Sequence, residues 1–387
     1  MFVNEMYPEL QTRWARVQEK MKEKGADSCI LTDSANLFYL TGRVFNGYAY
    51  LPVQGEPAFF VRRPLGLEKG NIQYIRKTEE IASYLKKKPS KIGLESDTLS
   101  YNEFNRLAAV FPESEYENAS SIMREARAVK TPYEIDLSRQ SGVRHAAVYD
   151  HIFSFFQEGM TDDEVSVELE YYARKLGNLG IFRIFGKSME LFMGNILAGD
   201  NADNPSPYDF AMGGEGMNPC LPVGANGTML HPGMTLMIDM NGNFTGYMTD
   251  MTRVFSVHQL RSDLAKRAHQ LSIDIQEAIK QKGRPGVAVK DLYDLAISMV
   301  KENNLEAYFM GHKQQAGFIG HGVGIEVNEL PVIAPRSKHI LEKGMVFALE
   351  PKFVIPEIGA VGIENTFAVT DDGLEQLTKF PEAIQEL

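Results

Sequence analysis

Residues 236–255 read LMIDMNGNFTGYMTDMTRVF, and they place Asp239 and Asp250 eleven residues apart in two apolar, strand-like runs. Asn241-Gly242 is a strong hairpin signal, because both residue types accept the positive φ of a type I′ turn. In a hairpin with a two-residue loop, opposed residues differ by an odd number, and side chains alternate faces along each strand. The odd spacing predicts that both aspartates share one face, whether the chain turns at 241–242 or nearer Phe244-Thr245. A bulge or an odd loop would break that parity. Two carboxylates on one face repel unless a proton or a cation lies between them. Taken alone, the stretch is also compatible with two solvated acids on an edge hairpin.

The chain's 387 residues exceed what one hydrophobic core usually serves, which predicts two domains. Its composition, 44% hydrophobic and 24% charged, is that of a globular protein. A net charge of −11 argues against nucleic acid and anionic membrane as partners. No run approaches the roughly 18 apolar residues of a spanning helix. The start, MFVNEMYPELQTRW, lacks the basic and apolar regions of a secretory signal. Cys29 and Cys220 form no metal or redox spacing and read as thiols of a reducing compartment, so a cytoplasmic location is expected.

Apolar residues at helical spacing (Leu10, Trp14, Val17, Met21) predict a helix over 8–24 that ends at Gly25. Strands are expected at 28–32, 57–61 and 92–95, with a helix at 101–110. This alternation predicts an α/β domain over 1–125. Polar residues up to Thr131-Pro132 mark a join, and a second domain is expected over 126–387. That domain opens with helices at 133–156 and 161–176, the latter with Thr161 and Glu164 placed as a capping box. A related pair of helices is expected at 271–281 and 290–302, an echo in pattern more than in letters. Residues 181–256 and 318–370 are rich in glycine and strand-like runs, so the second domain reads as paired helices covering a largely antiparallel sheet.

Three more acid–base groups lie in the C-terminal strands: His321 in GFIGHGVG, Glu350 at the end of MVFAL, and Glu364 in AVGIENTFAV. Each by itself is compatible with a hydrogen-bonded core residue. Together, four carboxylates and one imidazole in apolar strands exceed what side-chain partners readily satisfy, and Arg253 is the obvious cation nearby. Two divalent ions would neutralise such a cluster, and oxygen-rich ligation with one imidazole suits Mn²⁺, Fe²⁺ or Co²⁺ as well as Zn²⁺. Paired ions about 3.5–4 Å apart commonly activate a bridging water for hydrolysis. Glu350 and Glu364 have an even spacing of fourteen, so the 351–359 connection must contain an odd loop or a bulge if both face the site.

The motifs IDMNGNFTGYMTDMTRVF, GHGVGIEVNELP, MVFALEP and GIENTFAVT occur in the order found in the creatinase, aminopeptidase P, prolidase and methionine aminopeptidase superfamily, which the chain resembles. SCILT, NLFYLTG and RAVKTPYEI are similar to its N-terminal domain and join. The resemblance implies an α/β creatinase-like N-terminal domain and an α+β pita-bread catalytic domain, pseudo-twofold, with a curved antiparallel sheet covered by helices. It also implies two metals held by Asp239, Asp250, His321, Glu350 and Glu364. Asp250 and Glu364 would bridge the ions, Asp239 would complete one ion's shell and His321 with Glu350 the other's, and Glu350 would also take a proton from the bridging water. Small peptides, often with proline second, are the implied substrates, and a homodimer the implied assembly.

Departures from the family fall around this set. Val223 stands where peptidases carry a histidine, Asn328 where a second histidine is usual, and Gly362 where prolidase-like members often carry arginine. His231 is near but sits in a His-Pro-Gly turn. Asn328 and Tyr247 are candidate substrate-binding residues, Asn328 as a hydrogen-bond donor, and Tyr247 and Arg253 are also candidates to orient the ligands. Tyr39, Phe45, Tyr48 and Tyr50 read as core or as a pocket wall. The expected activity is therefore a two-metal peptide hydrolase with an altered surround. Hydrolysis or elimination on a non-peptide metabolite, or a binding protein with catalysis lost, are the alternatives.

Overall fold

The computed structural model describes residues 6–67, 70–85, 87–186, 190–208 and 212–387. The first five residues, part of the stretch read for a leader, lie outside them. Two compact units result, Met1–Ala128 and Val129–Leu387.

In the first unit, the helix Tyr7–Lys24 buries Leu10, Trp14, Val17 and Met21, and Gly25 closes it at φ 70°. The six strands are β1 (Ser28–Leu31), β2 (Asn46–Pro52), β3 (Ala58–Arg63), β4 (Ile72–Tyr74), β5 (Lys91–Leu94) and β6 (Glu115–Asn118). They form one sheet in the order β4-β3-β2-β1-β5-β6. Tyr39, Phe45 and Tyr48 are buried, Tyr50 is half-buried, and the Tyr48 hydroxyl is held by Arg62 and Thr78, which makes these aromatics packing residues of this unit.

In the second unit, the helices Pro132–Asp150 and Asp162–Lys175 are each opened by a capping box, from Thr131 with Glu134 and from Thr161 with Glu164. The second helix pair spans Asp263–Lys282 and Val289–Glu302. The strands are β7 (Gly194–Ala198), β8 (Thr235–Asn241), β9 (Asp250–Ser256), β10 (Gly320–Gly322), β11 (Glu329–Ile333), β12 (Val346–Leu349), β13 (Lys352–Ile355), β14 (Gly359–Gly362), β15 (Asn365–Val369), β16 (Leu374–Gln376) and β17 (Gln385–Glu386). They pair as β17-β9-β8-β7, β11-β10-β12-β15-β16 and β13-β14.

The opening hairpin is β8–β9, with Asp239 opposite Thr252 and Asn241 opposite Asp250. The parity holds, and the two aspartates share a face. The turn at Asn241-Gly242, however, does not form. Gly242 stays extended and pairs with Thr249 through two backbone bonds, and the reversal lies beyond it, where Gly246 takes φ 90°. A Cβ on Gly242 would meet the Thr249 hydroxyl and the His145 ring at 2.5–2.7 Å, so glycine serves close packing there rather than a turn.

The even spacing of Glu350 and Glu364 resolves through an odd loop. Ile355 pairs with Gly359, leaving residues 356–358 as a three-residue connection with Glu357 at φ 67°. Leu349 lies opposite Asn365, and Lys352 opposite Gly362, in one shared register. Glu350 and Glu364 therefore fall opposite each other and on one face. At these two residues the strands part. The Glu350 amide donates to the Ile319 carbonyl at 2.9 Å, and Glu364 exchanges backbone bonds with Thr252 at 3.2 and 3.3 Å.

Parting strands strand backbone groups, and buried orphans are costly. The helix Asp263–Lys282 supplies the missing partners from His269, Ser272 and Gln276, whose spacing puts them on one face. Gln276 donates to the Leu349 and Ile363 carbonyls, and Ser272 donates to the Pro351 carbonyl while accepting from the Ile363 amide. His269 Nε2 donates to the Glu382 carbonyl, and its Nδ1 accepts from the Gly362 amide. This requires a neutral imidazole.

Burial first, with the Arg253 charge opposing the backbone bond to Glu382, lowers His269 to about 4 from an ordinary value near 6.5. Between those values the unfolded chain binds the extra proton and the folded chain does not. This contribution to stability is therefore full above about pH 6.5 and lost as pH falls toward 4, by up to about 3 kcal/mol. Denaturant unfolding of the wild type and of His269→Gln at pH 7, 6 and 5 should show a shallower acid-side loss in the variant; equal slopes would contradict the assignment.

Candidate metal centre

The register of five strand segments aims the predicted groups at one place. Asp239 faces Thr252 across β8–β9, and Thr252 bridges to Glu364, whose Oε2 accepts the Thr252 hydroxyl at 2.7 Å. Asp250 lies two residues before Thr252 and so on the same face. His321 in β10 lies opposite Ala348, two residues before Glu350. His321 Nε2 is 3.3 Å from Glu350 Oε1 and 3.9 Å from Asp250 Oδ2. All five residues expected from the sequence thus meet. They form two ligand triads that share Glu364: Asp250, His321 and Glu364, and Asp239, Glu350 and Glu364, so Glu350 groups with Asp239 where the resemblance put it with His321.

A sixth residue joins them. Lys352, with no exposed side-chain surface, places Nζ 2.7 Å from Asp239 Oδ2, 2.9 Å from Glu350 Oε2 and 2.9 Å from Glu364 Oε2. An ammonium has three hydrogens, and each finds a carboxylate. The expectation that Arg253 is the local cation is corrected here. Its guanidinium donates to the carbonyls of Thr252, Glu364, Phe380 and Pro381 and to Asn365 Oδ1, so it holds the backbone of Glu364 rather than its charge. Lys352 was legible as a strand residue two positions after Glu350, hence on the same face.

Electrostatics follow from this crowding. Burial, then the charges of Glu364 and Asp239, raise Asp250 well above the usual carboxylate range. Burial also lifts Asp239, to about 6, against the pull of Lys352. For Glu350 burial acts upward, but Lys352 and His321 outweigh it and hold the carboxyl below its ordinary value. For Lys352 burial acts downward, and its three carboxylates overcome it and raise the ammonium well above the usual lysine range. Burial likewise opposes charge on His321, yet Glu350 first and then Asp250 and Glu364 raise the imidazole to about 10.

The donor set fits a divalent cation at Asp250, His321 and Glu364. Glu364 Oε2 is taken by Thr252 and Lys352, while Oε1 is buried without a hydrogen-bond partner, an orphan that a cation would satisfy.

The surrounding residues are placed as follows. Val223 is fully buried, and His231 is exposed. Asn328 is committed to the backbone of Phe185, donating to its carbonyl and accepting from its amide, both at 2.8 Å. Tyr247 is buried, and its hydroxyl donates to Glu134 at 2.7 Å. Gly362, at φ 127°, leaves no room for a side chain, since a Cβ would lie 2.7 Å from the Pro351 carbonyl oxygen and 2.9 Å from the Lys352 Cα. Asn195, which the sequence reading passed over, lies opposite Asp239 with its Oδ1 buried and unpartnered.

The pattern of Metallopeptidase family M24 matches residues 136–371, and that of the Creatinase/Prolidase N-terminal domain matches residues 13–129. The chain is 27% identical over 374 residues to the uncharacterized peptidase YqhT of Bacillus subtilis, covering 93% of this chain and 96% of that one. It is 25% identical over 378 residues to the Xaa-Pro dipeptidase of Pyrococcus furiosus, covering 96% and 98%. The solved Xaa-Pro dipeptidase of Bacillus anthracis superposes with a TM-score of 0.79 at 25% identity, over 98% of this chain and all of that one. With its strands converging on the five expected ligands, the chain belongs to metallopeptidase family M24 and has that family's creatinase-type N-terminal domain and pita-bread catalytic domain.

Proposed function

We propose that this chain is a metal-dependent hydrolase of small peptides, of the Xaa-Pro dipeptidase or aminopeptidase type. The observation that carries the reading is the convergence of Asp239, Asp250, His321, Glu350 and Glu364 on one buried face. Relatives named Xaa-Pro dipeptidase that match over nearly the full length support it. Among the described residues no helix is long and apolar enough to cross a membrane, and neither cysteine is in a disulfide, which fits a cytoplasmic peptidase.

A divalent ion, Mn²⁺ by the oxygen-rich donor set or Co²⁺, Fe²⁺ or Zn²⁺, would supply Lewis acidity at the scissile carbonyl. Glu350 is the group to accept the proton of the attacking water. It is held ionised by Lys352 and His321, and Lys352 fixes one of its oxygens at 2.9 Å. Asp239 and Asn195, opposite each other in the sheet, offer acceptor oxygens for the substrate's amino group.

The positions of Val223, Asn328 and Gly362 supply no imidazole or guanidinium. Loss of one donor to a tetrahedral intermediate costs on the order of 10²–10³ in rate, so turnover should be slow. With Mn²⁺ or Co²⁺ added, a panel of Xaa-Pro dipeptides and tripeptides should include at least one substrate, and Glu350→Gln should lower kcat by about 10²–10⁴-fold. No turnover on any peptide by metal-loaded protein would remove the peptidase reading.

The same absences favour, as a second reading, hydrolysis or elimination on a small non-peptide metabolite. A metabolite screen against metal-loaded protein separates the two. In either case Asn328→Ala should speed hydrogen exchange at the Phe185 amide. A raised KM without faster exchange would instead assign Asn328 to the substrate.

A further inference from the structure

Two triads share Glu364, and they are not equivalent. In the Asp239–Glu350–Glu364 triad, all three ammonium hydrogens of Lys352 are used, at 2.7, 2.9 and 2.9 Å. Metal–oxygen bonds are about 2.0–2.2 Å, so an ion drawing in the same oxygens would have to take the place of Nζ. Lys352 has no exposed surface, its strand is pinned opposite Gly362, and its exit would leave a buried ammonium without partners. In the Asp250–His321–Glu364 triad Lys352 reaches only Glu364 Oε2, no described ion pair joins a lysine or arginine to Asp250, and Glu364 Oε1 is buried and unpartnered. Charge points the same way. With the His321 imidazole neutral, as a metal ligand must be, four carboxylates against one ammonium leave three negative charges, which one divalent ion reduces to one and two would turn positive.

We propose that this chain binds a single divalent ion, at Asp250, His321 and Glu364, and that the ammonium of Lys352 permanently fills the second position of the expected two-ion site. The inference rests on the metallohydrolase reading and revises its ion count. Lys352 is then a positioning residue that holds Asp239, Glu350 and Glu364 in the geometry a second ion would otherwise impose. The site loses an exchangeable Lewis acid and gains a fixed charge, which removes metal availability from half of its electrostatics.

The test titrates metal-free full-length chain with Mn²⁺, reading bound metal by equilibrium dialysis and elemental analysis and coupling by electron paramagnetic resonance. The wild type should bind one Mn²⁺ per chain with the six-line spectrum of an isolated ion. Asp250→Asn should lose that ion and Asp239→Asn should keep it. Lys352→Ala should admit a second equivalent, with an exchange-coupled spectrum. Two ions and a coupled spectrum in the wild type would overturn the inference and leave the metallohydrolase reading standing. Retention by Asp250→Asn with loss by Asp239→Asn would overturn it too, since Lys352 would then have yielded its place. No binding at all would remove both. If Lys352→Ala does not fold, the wild type and the two aspartate variants decide the matter.

Discussion

Four carboxylates gathered in a site that excludes most water set the constraint on which the second domain depends. Like charges at this density are untenable without cations, because the desolvation and repulsion terms both act against ionisation. The chain supplies one cation covalently, through Lys352, and arranges the remaining oxygens around a place for another. A residue two positions from a ligand, on the same strand face, is the simplest way for a sheet to deliver a charge to that ligand. Arg253 serves a different purpose, tying the backbone of Glu364 to the chain's C-terminal segment at Phe380 and Pro381.

The sheet has to open for this to work. A regular ladder between Glu350 and Glu364 would leave no gap into which His321 and the β8–β9 aspartates could reach. The strands part at these two residues, one turning to Ile319 and the other to Thr252. The helix Asp263–Lys282 makes the opening affordable by carrying polar residues on the face that packs over it. His269, Ser272 and Gln276 would look misplaced on a buried helix face, yet each closes a backbone group that the parted strands leave open.

Much of this was legible in the residues. The odd spacing of Asp239 and Asp250 placed them on one face, and of the two places where the chain could turn the structure excludes Asn241-Gly242 and reverses beyond Gly242, closer to Phe244-Thr245. Parity survives any even loop, which is why the conclusion did not depend on the choice. The even spacing of Glu350 and Glu364 called for an odd connection, and residues 356–358 provide it. Lys352 was overlooked for a physical reason: lysine is so rarely buried that it reads as a strand-edge residue unless its face is counted. Asn328 was illegible because its amide is spent on Phe185, more than a hundred residues away in sequence. Gly362 marks a missing arginine in the sequence, and the structure adds that no side chain would fit against Pro351 and Lys352.

A hydrolase with one ion and one fixed ammonium keeps Glu350 ionised and oriented whatever metal is at hand, while its catalytic strength rests on the remaining ion. The most direct measurement is anomalous diffraction from crystals of the wild-type chain grown in Mn²⁺. The account predicts one peak, among Asp250, His321 and Glu364, with Lys352 Nζ still within hydrogen-bonding distance of Asp239 and Glu350. Two peaks flanking Glu364, with the Lys352 side chain displaced, would contradict it.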